Sequence, residues 1–463
     1  MGPLPQRRGP GGRAPAHLSL NAGIQLAYTA ARLAGRLRPR NRAIAPLAIR
    51  ECEPGISVLI PSRNGKELLA AQLPGILRDL PPAAEVLVID NGSEDGTAAW
   101  LNRAFPQVRL EVSPQPLSFA RAANRGLAAA RYSRVCLLNN DMMIDPGFFH
   151  ALDRAFAQVP DLFCATAQIR FPPGVRREET GKAVMAQDNP GDFPLRCDEP
   201  LPGEDLTYVL YGSGGCSLYD ASMLRALGGI DAVYEPAYVE DLDIGFRAWQ
   251  RGWQSVYVAG AGVEHRHRAT TARYYSPEEL DLILEINYLK FLARSVENPS
   301  LFSRLWLQAM ERLRLRAARH DAARQALRQA ARIALAGGPA MPPKVSEELV
   351  LALTNGSVFV FPGRKPTGKP CRLIAAVSLE CTPRADCDQV LVAFADQLQP
   401  PPADVLANYA EVVLVYRGRS SPLSFRAALE QTVRKWKPES AELDRARLAA
   451  YAQFCAPAEV VLR

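Results

Sequence analysis

The stretch VCLLNND, Val135 to Asp141, decides how this chain is read. Four apolar residues suit a buried strand, and three side chains with hard oxygens follow at once: Asn139, Asn140 and Asp141. Upstream the pattern recurs twice. Ile56 to Ile60 closes on Pro61, Ser62, Arg63 and Asn64, and Glu85 to Ile89 closes on Asp90, Asn91, Gly92 and Ser93. Helical segments at Lys66 to Leu77 and Ser118 to Arg131 separate these runs, with another strand at Val108 to Val112. Strands alternating with helices predict an α/β fold with a doubly wound, mostly parallel sheet, because right-handed crossovers leave few other topologies. In such sheets ligands bind at the carboxyl ends of the strands, where these polar residues fall.

Downstream, Tyr211 to Tyr219 reads as a Gly-rich strand or loop before a helix. The acids Glu240, Asp241 and Asp243 open a helix that runs to Arg251, and a strand at Ser255 to Ala259 leads to His265 and His267. Helices are expected through residues 277–335, and a Gly/Pro break at Gly337 to Pro343 precedes the final segment. The expected organisation is a basic N-terminal stretch (1–53), a catalytic-size α/β unit (54–275), a basic helical extension (276–340) and a small α/β segment (345–463). Residues 1–16, rich in Gly, Pro and Arg, should be disordered. From Leu18 to Leu37, Leu20, Ile24, Ala27, Ala31 and Ala34 recur at helical spacing. That helix either packs on the main unit or rests on a membrane.

The net charge of +7 is local. No acid precedes Glu51, and Arg304 to Arg332 carries eight Arg against Glu311 and Asp321, a pattern suited to an anionic surface such as phospholipid. A solvated basic face explains it equally. Nine cysteines without a C-x-x-C pair argue against a disulfide framework or zinc knuckle and fit a reducing cytoplasm. No apolar run of about 18 residues is present, and no signal-peptide pattern opens the chain. A lipid-linked partner would then have to be reached from the cytoplasmic face, by peripheral attachment.

The polar clusters carry the chemistry. Asn139 and Asp141 stand two apart after a strand, so both can face one hard cation, although Asn-Asn-Asp is also a common turn. Asp90 can accept hydrogen bonds from a base or ribose, with Gly92 allowing close approach; Asp95 suits a helix cap. Glu240, Asp241 and Asp243 supply a possible general base, and one or two of them can instead complement a helix N-terminus. His265 and His267, two of five histidines, alternate at a strand end and are candidate ligands.

In order and spacing, SVLIPSRN (57–64), VIDNGS (88–93), LNND (138–141), GGC (214–216), EDLD (240–243) and VEH (263–265) resemble the successive motifs of family 2 glycosyltransferases. SFARAANRG (118–126) is similar to the rhamnosyltransferase-like branch. The resemblance covers about residues 54–270 and implies a GT-A-type fold and an inverting transferase using a nucleotide-sugar donor and Mn²⁺ or Mg²⁺. It further implies a saccharide or polyprenyl-linked acceptor in cell-surface polysaccharide or glycolipid assembly. It assigns Pro61, Ser62 and Asn64 to the nucleotide pocket and Asp90 to the base or ribose. Asn139, Asn140 and Asp141 fall on the metal and diphosphate motif. His265 becomes a further metal ligand and Asp241 the catalytic base. Asn139 stands where many members carry Asp, which removes one anionic ligand.

The last segment is similar to half of the N-terminal domain of a family 4, GT-B-type enzyme, through strands at Cys371 to Ser378, Asp388 to Ala395 and Ala410 to Tyr416 and an amphipathic stretch Phe425 to Trp436. No donor-binding half follows, so inactivity is expected. A nucleotidyltransferase would need a Gly-rich phosphate loop that Ile56 to Asn64 lacks, and a nucleic-acid binder would need a recognition motif. A non-catalytic sugar-nucleotide scaffold is the remaining alternative.

Overall fold

The strand Glu53–Ser62 (β1) buries every residue from Ile56 to Ile60, as a central strand of a sheet covered on both faces must. This computed structural model describes residues 14–462 except 42–44, 49–50, 160, 173–179, 186–189, 201–204, 267–273, 341, 345–346, 355–357, 370, 377–378, 380–381, 396–400, 417–431 and 433–457. After β1 come Lys66–Asp79 (α2; α1 is Ala14–Arg36), Ala84–Asn91 (β2), Thr97–Ala104 (α3), Arg109–Ser113 (β3), Phe119–Ala129 (α4), Tyr132–Leu138 (β4) and Met142–Ile144 (β5). Next are Phe148–Gln158 (α5), Leu162–Arg170 (β6), the hairpin Ala183–Met185 (β7) with Leu195–Cys197 (β8), Thr207–Tyr208 (β9), Cys216–Asp220 (β10), Ala221–Ala226 (α6), Glu240–Gln250 (α7) and Gln254–His265 (β11).

Nine strands make the main sheet in the order β9-β11-β6-β10-β4-β1-β2-β3, with β5 paired to β11. β3, β2, β1 and β4 are mutually parallel, and β10 runs antiparallel between β4 and β6. Alternation along each strand feeds two cores. Val58, Ile60, Val86 and Val88 pack with Leu69, Leu73 and Ile76 of α2, whereas Leu59, Leu87 and Ile89 pack with Ala120, Ala123 and Leu127 of α4. The sheet is therefore doubly wound and mostly parallel, as expected. The chain runs outward from β1 to β3 and then returns to β4 on β1's other side. A crevice opens at that reversal, beside Ser62 and Asn139.

Pro277–Ser295 (α8), Pro299–Arg316 (α9) and Asp321–Ala336 (α10) form the helical extension. α1 starts at Ala14, inside the stretch expected to be disordered; residues 1–13 lie outside the described residues. Ile24, Ala31 and Ala34 of α1 enter one core with Leu305, Trp306 and Leu313 of α9, Leu327 of α10, and Leu242 and Phe246 of α7. Trp306 donates its Nε1–H to the Ala31 carbonyl at 3.0 Å. α1 thus packs on the main unit through one face, while its other face leaves Leu26 and Leu33 exposed, as is Leu37 just after it.

Two expectations meet long-range contacts. The arginines of Arg304 to Arg332 divide: Arg312 and Arg316 both donate to Glu285, Arg314 pairs with Glu311, and Arg324 with Asp321, whereas Arg304, Arg319, Arg328 and Arg332 are exposed. The pairing acid Glu285 lies outside the Arg-rich stretch, where no local spacing could reveal it. The break at Gly337 to Pro343 is also no simple linker. Gly338 and Pro339 are buried and pair in parallel with Arg40 and Asn41. Glu347–Thr354 (α11) packs against α7 and β7, with Val350 in the shared core, so the first unit continues past residue 345.

The rest is a five-stranded sheet of Val358–Pro362 (β12), Cys371–Ala376 (β13), Asp388–Ala395 (β14), Glu411–Tyr416 (β15) and Ala458–Leu462 (β16), ordered β12-β15-β14-β13-β16, with parallel central strands and antiparallel edges. The three expected strands are its centre. The amphipathic stretch 425–436 lies outside the described residues, Thr432 apart.

Candidate active site

At the carboxyl ends of β1 and β4 a cavity of about 1160 Å³ is lined by Pro61, Ser62, Asn139, Asn140, Asp141, Glu240, Asp241 and His265, among others. Residues 124 apart meet there because β11 ends antiparallel to β5: His265 stands opposite Met142, and Arg266 donates its N–H to the Asp141 carbonyl at 2.9 Å. His265 Nε2 then lies 3.6 Å from Asp141 Oδ1. That oxygen is buried and accepts no hydrogen bond from the described residues. The Phe171 ring flanks the imidazole, centroids 5.5 Å apart.

Asn139 is held by its backbone. Its N–H donates to the Gly215 carbonyl at 2.8 Å, and its own carbonyl accepts from Gln72 Nε2 at 2.6 Å. A Cβ on Gly215 would sit 2.6 Å from Asn139 Nδ2, so the glycine of the GGC motif is there to admit that side chain. Asn140 donates to Ser62 Oγ at 2.9 Å, joining the ends of β4 and β1 at the cavity wall. Asp141 and His265, with Asn139 adjacent to the first, offer oxygen and imidazole donors that fit a divalent cation whose remaining ligands come from a diphosphate and water. No group of three or more His, Cys, Asp or Glu that could hold a metal ion is found among the described residues.

The three acids of α7 divide. Asp243 is buried, pairs with Arg247 at 2.7 Å, accepts from the Tyr234 hydroxyl at 3.0 Å, and also accepts from Ser295. It is structural. Glu240 and Asp241 face the cavity. Burial, aided by the neighbouring Asp241 charge, pushes the Glu240 carboxyl up to about 8. Near neutral pH Glu240 is therefore largely protonated, as burial beside a second acid favours.

Two residues assigned from sequence lie outside the cavity lining. Asp90 is buried, and its Oδ1 accepts the Ser93 N–H at 3.1 Å. Asn64, in the left-handed region at φ 48°, donates its N–H to Ser93 Oγ and accepts from the Glu94 N–H at 2.8 Å. Both shape the loop beside the cavity, while Asn91, next to Asp90, lines it and grips Leu117 through both amide atoms. His267 lies outside the described residues.

Sequence reasoning missed the far wall. Phe193, Leu195 and Arg196 from the β7–β8 region, and Leu280, Asp281 and Leu284 of α8, also line the cavity. Their only sequence signal was the helical period of 280, 281 and 284, which reads equally as core.

The family model for glycosyltransferase like family 2 matches residues 54–278. The N-acetylglucosaminyl-diphospho-decaprenol L-rhamnosyltransferase of Mycobacterium tuberculosis is 31% identical over 212 residues, which cover 41% of this chain and 68% of that enzyme. The uncharacterised protein y4gI of Sinorhizobium fredii is 26% identical over 265 residues, 54% of this chain but only 28% of that longer protein. Among solved structures, a mannosyltransferase from Pyrobaculum calidifontis in complex with GDP-Man and Mn²⁺ aligns at 16% identity and a TM-score of 0.39 over 68% of this chain and 87% of that one. A doubly wound sheet with the six motifs at its carboxyl edge, together with the match across 54–278 and the mycobacterial relative, leads to one assignment: this chain belongs to glycosyltransferase family 2 and has its GT-A-type fold.

Proposed function

We propose that this chain is an inverting glycosyltransferase that moves a sugar from a nucleoside diphosphate to an acceptor hydroxyl, with Mn²⁺ or Mg²⁺ as cofactor. The observation that carries this reading is the opening of Asp141, His265 and Asp241 onto one cavity, large enough for a sugar nucleotide. Asn139, Asp141 and His265 would hold the cation, which when bound neutralises the departing diphosphate. Pro61 and Ser62 form the nucleotide wall, with Asn140 tying Ser62 in place and Asn64 and Asp90 bracing the adjoining loop. Asp241 takes the proton of the acceptor hydroxyl as that oxygen bonds to the anomeric carbon. The bond to the diphosphate breaks on the opposite face, so configuration inverts.

For the acceptor we propose a polyprenyl-linked saccharide of cell-surface glycan assembly. The acceptor for which the mycobacterial relative is named and the apolar wall of Phe193, Leu195, Leu280 and Leu284 support it. No helix among the described residues is long and apolar enough to cross a membrane. The exposed Leu26 and Leu33 of α1 and Leu37 just after it, beside exposed Arg32 and Arg36, support peripheral contact with an anionic cytoplasmic membrane face. The C-terminal sheet we assign a non-catalytic docking role.

The test is a panel of UDP-, GDP- and dTDP-sugars, with and without Mn²⁺, read by thermal shift and by donor turnover. One donor should stabilise the chain in a metal-dependent way. Asp141→Ala should abolish that shift, and Asp241→Asn should keep it while lowering turnover by roughly 10²–10⁴-fold. Full activity in excess EDTA or in either variant refutes the assignment. Binding without turnover of any donor would instead favour a sugar-nucleotide scaffold.

A further inference from the structure

α8 starts where the family match ends, and its residues meet the site in two ways. Leu280, Asp281 and Leu284 line the cavity. One turn on, Asn287, Lys290 and Arg294 are spaced by three and four, so they share a face, and that face holds the loop leading into α7.

Asn287 is 1% exposed. Its Nδ2 donates to three carbonyls of that loop: Tyr234 at 2.6 Å, Ala237 at 2.8 Å and Tyr238 at 3.2 Å. Lys290 Nζ donates to Asn287 Oδ1 at 2.9 Å and to the Val233 carbonyl at 2.8 Å. The lysine thereby fixes which way the amide points, since a flipped amide would set its oxygen against the carbonyls and its nitrogen against the ammonium. Arg294 closes the row on Asp231 at 2.7 Å.

The loop ends in two left-handed residues, Tyr238 at φ 69° and Val239 at φ 77°. Such a conformation is costly for a β-branched residue and persists only where the surroundings hold it. These two residues aim the first turn of α7, which carries Glu240 and Asp241 into the cavity. The geometry points to Asn287 as a positioning residue for the acceptor-deprotonating carboxylate, with Lys290 orienting its amide. This rests on the assignment of Asp241 as the base. The body of α7 is anchored separately, through the Asp243–Arg247 pair, the Ser295 hydroxyl on Asp243 and Arg247 on the Leu227 carbonyl. Loss of the clamp therefore frees the first turn of α7 and leaves the helix in place.

The test uses the full chain carrying Asn287→Ala or Lys290→Met, with Mn²⁺ and the panel sugar nucleotide that stabilises the wild type most. Asn287→Ala should lower kcat by about 10–100-fold, the scale of a misplaced catalytic group, with the donor-induced thermal shift unchanged. Lys290→Met should lower it less. Amide exchange should quicken across residues 235–241 and stay unchanged across 137–141. Wild-type kcat and exchange in both variants would overturn the proposal, as would a loss of donor binding that matches the loss of rate. If Asn287→Ala does not fold, Lys290→Met decides alone on the same readouts. Failure of the underlying assignment is distinguishable: turnover retained in Asp241→Asn removes Asp241 as the base, whereas a dead Asp241→Asn beside an unaffected Asn287→Ala removes only the clamp.

Discussion

Glu347 is the place to test whether the catalytic unit runs past the Gly/Pro break. Its carboxylate accepts three hydrogen bonds: from Gln250 Nε2 at 2.5 Å, from the Glu297 N–H at 2.7 Å and from the Asn298 N–H at 2.9 Å. Asn298 is the N-cap of α9, so the carboxylate pins the α8–α9 corner to the end of α7. Glu347 is 1% exposed, and Glu347→Ala would leave two backbone donors and one amide donor without an acceptor. An unsatisfied buried donor costs about 1–3 kcal/mol, and some water will enter the vacated space, so roughly 3 kcal/mol is expected for the set. At the usual stability-to-temperature scaling that lowers Tm by roughly 6–12 °C. The assay is thermal and urea unfolding of the full chain, with Glu347→Gln as a control that keeps one acceptor and loses less. A chain lacking residues 345–463 should share the defect, while one lacking 358–463, which retains α11, should not. A Tm change within about a degree in Glu347→Ala, or equal stability of the two truncations, would refute the extended boundary.

Three further outcomes follow from the same geometry. The Glu240 carboxyl, raised from 4.5 to about 8, is held protonated more tightly in the folded chain; its contribution is full below 4.5 and lost as pH rises through 8. Glu240→Gln, which cannot ionise, should gain Tm relative to wild type steadily across that window, and a pH-independent difference would disprove the shift. Arg312 and Glu285 are both fully buried, so Arg312→Met leaves the Glu285 charge to the half-buried Arg316 alone and should cost about 1–3 kcal/mol by urea unfolding, against under about 0.5 kcal/mol for Arg328→Gln; equal effects would mean the pair is solvated. Leu26→Ser with Leu33→Ser should abolish salt-sensitive co-sedimentation with phosphatidylglycerol vesicles, and no wild-type binding at low ionic strength would rule out the membrane face.

How much of this was legible in sequence depended on range. Val58, Leu59 and Ile60 alternate between two cores, and every neighbouring strand does the same, so the doubly wound sheet could be read from short apolar runs punctuated by polar ends. The motif order likewise named Asp141, Asp241 and His265, and all three line the cavity. Asp90 and Asn64 were legible as residues at the right strand ends but not in their orientation, because a one-residue choice of which side chain turns inward depends on Ser93 and Glu94 as partners.

What the sequence determined by itself was whatever a local period or a contiguous motif encodes: strand and helix identity, the two-sided burial, and which residue types collect at the carboxyl edge. The tertiary structure alone decided the rest. The β5–β11 pairing set His265 beside Asp141, Glu285 absorbed Arg312 and Arg316 from a stretch that looked like a free basic surface, and α8 closed on the loop before Asp241. Each is a contact between residues far apart in the chain, and no local pattern marks such partners, because the energy that selects them comes from burial and hydrogen bonding that exist only once the elements have packed.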